Sequence, residues 1–156
     1  MKRAALLLLV LFAGALSACG GAKTAPAEPF APGKFYDTLS ADFGLSSMVV
    51  LDADAIYNYL GVPPEDYTEG VAAFRADSVL VDEIWVFNAA DEAAAERILR
   101  AAEFRKEQLV SENRDYLPDQ CRIAEAGKCV RKGNAVGLFI APESEKMAEA
   151  FSWAAG

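Results

Sequence analysis

Histidine is missing from all 156 residues. That removes Ser-His-Asp and Cys-His catalysis, and every metal motif built on imidazole. A glycine-rich phosphate cradle is missing too: Gly20 and Gly21 stand next to each other near the N-terminus, and the other glycines are scattered. Basic residues are in deficit, with 15 Lys and Arg against 23 Asp and Glu and a net charge of −8. A chain that acidic lacks the electrostatic footprint of a nucleic-acid binder, so no nucleic-acid partner is expected. Cysteine is scarce, at three residues. No apolar run reaches the roughly 20 residues that a membrane-spanning helix needs.

What is present begins at the N-terminus. Lys2 and Arg3 form a positive patch, Ala4 to Leu16 are uncharged, and Leu6 to Val10 are aliphatic without a break. This order matches an exported signal, with an apolar segment too short to remain as a transmembrane helix. Leu16-Ser17-Ala18-Cys19 follows, in the pattern of the lipobox of bacterial lipoprotein signals. The small residues suit the peptidase pocket, and the Cys19 thiol takes a diacylglycerol before cleavage. Residues 1–18 are therefore expected to be a signal peptide, with Cys19 the lipidated first residue of the mature chain. Two acyl chains, at about 0.8 kcal/mol per buried methylene, give stable attachment. Gly20 supplies no acidic retention signal next to the lipid. The expected location is the extracytoplasmic face of the cell membrane.

Residues 19–36 read as a linker, rich in small residues and stiffened by Pro26, Pro29 and Pro32. Residues 37–156 read as one domain, long enough for a single core. In it, Asp52 to Leu60 carries Ala53, Ile56, Tyr57 and Leu60 at helical spacing, with Asp52 as a cap and Gly61 as a stop. Val71 to Ala76 and Ile84 to Phe87 have strand composition. Asp91 to Tyr116 is a long Ala-rich helical stretch with Ala95, Ile98, Leu99, Ala102 and Leu109 on its inner stripe, ended by Pro118. Gly127 to Arg131 and Ala135 to Ala141 form a hairpin around Lys132-Gly133-Asn134. Glu143 to Ala154 closes as an amphipathic helix. The expected fold is α+β, in the order α-β-β-α-β-β-α, with a four-stranded antiparallel sheet and helices mainly on one face.

Few residues invite chemistry. Cys121 and Cys129 would be the remaining thiols after lipidation, in a compartment that permits disulfides. Two readings stand: a bridge closing a small loop, contributing roughly 2.6 kcal/mol, or two separate thiols. Two cysteines alone do not make a zinc set, so no metal or other cofactor is expected. Asp82-Glu83 and Glu65-Asp66 are carboxylate pairs that read as solvated charges; Asp82 and Glu83, as neighbours in a strand, point to opposite faces and would not converge on a substrate. Asp52-Ala53-Asp54 resembles the start of a calcium loop but lacks its glycine and later glutamate, and reads as an acidic helix start. Trp85 and Phe87 share a strand face and read as core.

The succession of "AIYNYLGV", "DEIWVFNAADEAAAERI", "RDYLP" and "KGNAVGLFIA" behind a lipobox and spacer resembles a family of small extracytoplasmic lipoproteins common in clostridial Gram-positive bacteria, catalogued as a domain of unknown function. The resemblance runs from about Leu51 to Trp153; Cys121, Cys129 and the alanine content depart from it. It implies a fold and a location but no activity, cofactor or catalytic residue. The expectation for function is a non-enzymatic module, held to the membrane through lipid on Cys19, that binds an envelope protein, the wall or a small ligand. The alternative is a small hydrolase or transferase working through carboxylates at the cell envelope.

Overall fold

A computed structural model describes residues 29–77 and 79–156. Cys19, the signal segment and most of the expected linker lie outside the described residues.

The first helix, α1 (Pro32–Phe43), has Pro32 in its first turn, where a missing N–H costs nothing. Pro32, Tyr36 and Leu39 share one face and are buried. The expected linker of residues 19–36 is therefore corrected at its end, because Pro32 to Tyr36 are already helix. The proline that stiffens a linker also suits the start of a helix.

A short strand, β1 (Met48–Val50), leads into α2 (Ala53–Ala55) and a π-helical turn over Ile56–Leu60. Asp52 caps this segment, its side chain accepting from the Ala55 N–H at 2.8 Å. Gly61 ends it at φ 69°, a left-handed conformation open to glycine. A 3-10 turn at Pro64–Asp66 enters β2 (Tyr67–Arg75), which pairs with β3 (Glu83–Ala89). The long helix α3 (Glu92–Asn113) starts at Asp91, whose carboxylate accepts from the Ala94 N–H at 2.7 Å. A separate helix, α4 (Pro118–Ala126), follows, then the hairpin β4 (Lys128–Lys132) and β5 (Ala135–Ile140), then α5 (Ser144–Ala154).

The sheet has five antiparallel strands in the order β1-β2-β3-β5-β4. This corrects the expected four strands and the expected succession of elements. β1 adds a fifth strand, and α1 and α4 add two helices. The single-domain α+β architecture with its antiparallel sheet is as expected.

Helices cover both faces of the sheet, not mainly one. Ala72, Trp85, Phe87, Val136, Leu138 and Ile140 face α3, α4 and the π turn. Ala73, Ile84, Val86 and Phe139 face α1 and α5. The alternation of β3 carries the reason: with Ile84 and Val86 on one side and Trp85 and Phe87 on the other, all four apolar, each side must be covered. The Phe87 ring lies against Gly70, where an added Cβ would come 2.2 Å from it. Tyr67 packs edge-on to that ring at 5.1 Å.

Candidate binding groove

β3 opens with Glu83, which belongs to the same side of the sheet as Trp85 and is 4 % exposed. A buried carboxylate is costly unless every oxygen is satisfied. Here the Trp85 indole N–H donates to Glu83 Oε1 at 2.7 Å. Arg105, on α3, donates through Nε at 3.0 Å and Nη2 at 2.9 Å to Glu83 Oε2. The Arg105 Nη1 group donates to Gln108 at 3.2 Å, and Gln108 donates to Glu112 at 2.8 Å. The guanidinium is thus locked from both sides while its side chain keeps 27 % of its exposure.

Around this pair the chain leaves a groove of about 370 Å³ lined by Leu51, Tyr59, Leu60, Phe74, Glu83, Arg105 and Gln108. Tyr59 and Leu60 come from the π turn, Leu51 from just after β1, Phe74 from β2, and Arg105 and Gln108 from α3. π turns recur where a helix must present side chains unusually, often at functional sites. Tyr59 is 77 % exposed, and Phe74 and its cross-strand neighbour Val49 are both open to solvent. Beyond Phe74, Glu83 and Arg105 lies a second depression of about 410 Å³, bordered by Arg75, Leu80, Asp82 and Glu112. The combination is an apolar, aromatic surface with a fixed guanidinium at its centre. Its carboxylate is occupied by donors, which leaves it poorly placed to take a proton from a substrate.

The other carboxylates that the sequence singled out are also separated. Asp82 turns to Arg75, at 3.9 Å, and borders a small depression with Phe43, Leu45 and Met147 on the α1/α5 side. Asp82 and Glu83 therefore serve different arginines. Glu65 is exposed, whereas Asp66 is buried and accepts from Arg97 Nε at 2.9 Å and Nη2 at 2.5 Å. Those hydrogen bonds from Arg97 hold the Asp66 carboxyl below its ordinary range. Asp52 caps a helix, and Asp54 lies in its first turn. Among the described residues, no group of three or more His, Cys, Asp or Glu side chains is arranged to hold a metal ion.

Cys121 and Cys129 are both free thiols, so the bridge left open by the sequence is not formed. Cys121, in α4, points its Sγ at the Val110 carbonyl of α3, 3.6 Å away, while Cys129 packs from β4 against the Trp85 side of the core. Burial, helped by Glu125, raises the Cys121 pKa, and burial pushes that of Cys129 up to about 11. Thiols held protonated are weak nucleophiles. Trp85 and Phe87 are core, as their spacing implied. Sequence reasoning missed Arg97, Arg105 and Tyr59. Buried partners for lone acids were the available signal, but nothing local says which of the arginines they take.

Fold and groove together define a small α+β domain with a five-stranded antiparallel sheet and a half-open surface site. Residues 41–141 match a domain of unknown function (DUF4358), and the chain belongs to that family. The match takes in all five strands and α2 to α4, and stops before α5. No curated protein and no solved structure matches the chain. No helix among the described residues is long and apolar enough to cross a membrane.

Proposed function

We propose that the protein is an extracytoplasmic lipoprotein, attached to the cell membrane through a diacylglycerol on Cys19, whose domain binds an envelope protein or small ligand and performs no catalysis. The lipobox Leu16 to Cys19 supports the attachment. The observation that carries the binding role is the groove. Tyr59 and Phe74 are open to solvent beside Arg105, while Glu83 accepts from both Trp85 and Arg105. An acid or base at work needs a free lone pair or proton aimed at substrate, whereas a recognition site needs rigid aromatic and cationic groups.

Two experiments test this. Cys19→Ala should leave an unprocessed precursor; processing at the same bond with membrane retention would sink the attachment. For binding, a photo-crosslinker at position 59 in intact cells should trap one defined species, and Phe74→Ala should abolish that adduct. Turnover of a carbohydrate or peptide by the purified protein, lost in Glu83→Gln, would overturn the non-enzymatic reading.

A further inference from the structure

The described chain enters the domain through an aromatic cluster. Phe30 lies 5.6 Å from Phe35 and 5.4 Å from Phe151, measured between ring centroids, and Phe35 lies 5.7 Å from Phe151. Phe139 of β5 backs the cluster at 5.5 Å from Phe151. Aromatic pairs at these separations add stabilisation beyond their buried area. The point where the N-terminal segment leaves the domain is therefore fixed on the α1/α5 side of the molecule.

Beside that point is a shallow depression of about 530 Å³, bordered by Pro29, Phe30, Lys34, Phe35 and Trp153. Trp153 stands on α5 and is 88 % exposed, while the other tryptophan, Trp85, is 1 % exposed. Lys34 is the one charged residue among the described residues bordering this depression. An exposed tryptophan next to half-buried phenylalanines has the chemistry of the membrane interface. There an indole packs against acyl chains with its N–H at the headgroups.

We propose that this face, carrying Trp153 and Phe30, docks on the lipid surface and fixes the orientation of the domain. The inference rests on the attachment through Cys19. About ten residues separate Cys19 from Pro29 and reach ~35 Å when fully extended. A domain of this size is itself roughly 35 Å across. Only a tether drawn out to its full length would bring the far side of the molecule down, so the attachment favours the Trp153 face beside the bilayer. The groove at Tyr59 belongs to the opposite side of the sheet, so docking leaves it open to the envelope.

The test uses the full lipidated chain in phosphatidylcholine vesicles, half of them with bromine on the acyl chains. Vesicle flotation should retain the protein and lose Cys19→Ala. Brominated lipid should quench the emission that Trp153 contributes, and Trp153→Phe should remove that quenching while leaving the Trp85 emission. Added salt should leave the quenching unchanged, because an apolar contact holds the face down. If the protein floats but brominated lipid has no effect, docking is overturned and the attachment stands. If Trp153 is shielded from aqueous acrylamide yet unquenched by brominated lipid, the chain's own N-terminal segment or a second copy covers it, which also overturns lipid docking. Failure to float overturns the attachment, and the docking with it.

Discussion

The two faces of one sheet are held down by different physics. On the Trp85 face, α3 contributes two arginines that neutralise buried acids, Arg105 on Glu83 and Arg97 on Asp66. On the Ile84 face the contacts are almost all apolar, centred on Phe151 with Phe30, Phe35 and Phe139 around it. The family match covers α2 to α4 on the first face, but on the second it misses most of α1 and all of α5. Charge pairs need partners at set distances and orientations, so they impose geometry and shape the groove. Apolar packing is tolerant of detail, so it serves to seal the core and hold the end of the chain that leads to Cys19. The contrast matches the roles proposed above, recognition on one face and attachment on the other.

The sharpest way to break that contrast is on the apolar face. Phe151→Ala should cost about 3–5 kcal/mol, because its cavity sits where four rings meet. Urea unfolding would read it. A loss below about 1 kcal/mol would mean the face collapses easily and does not anchor α5. On the charged face, Arg105→Ala should cost about 3 kcal/mol by leaving Glu83 buried without its cation. Adding Glu83→Gln to Arg105→Met should recover at least half of that loss, since the Gln oxygen still accepts from Trp85. If the single and the double variants were equally unstable, packing by the arginine stem, and not charge, would be its contribution.

Gly70→Ala comes next, at about 1–3 kcal/mol, because the Phe87 ring must move off its place against Tyr67. Asp66 provides a pH-resolved prediction. Its folded pKa is depressed, so its contribution is complete above the unfolded value of about 3.9 and disappears as the pH falls through the folded value. Asp66→Asn should therefore be less stable than the parent at pH 7, and the gap should close below about pH 4. A constant gap from pH 7 to pH 2 would deny that the ion pair carries it. The smallest effect is on thiol reactivity. With the Cys129 pKa near 11, alkylation at pH 8 should be about tenfold or more slower than in the unfolded chain. Equal rates would show that β4 opens readily.

The alternation of Ile84 to Phe87 was legible, as were the cap at Asp52, the start of the long helix at Asp91, the hairpin around Gly133 and the amphipathic α5, because each is written in residues close together. Three elements were not. Pro32 reads as linker and Pro118 as a helix stop, yet each also fits the first turn of a helix, and only packing decides which role it plays. β1 is three residues long, too short for any period to show, and exists because it pairs with β2 through Met48–Arg75 and Val49–Phe74. Of the candidate site, the acids were visible and their partners were not. Glu83 and Arg105 are 22 residues apart, Asp66 and Arg97 31.

By itself, the amino-acid sequence determined which chemistries have no residues to run them, which segments are apolar on one side or two, and where the lipobox pattern ending at Cys19 falls. These are local properties, fixed by residue type and spacing. The tertiary structure alone decided that Glu83 is paired with Arg105, that Tyr59 and Phe74 flank that arginine, and that Trp153 stands beside Pro29 and Phe30. Each of these depends on which elements the sheet brings side by side. That choice is made by burying both faces at once, a constraint on the whole chain that no short window of it contains.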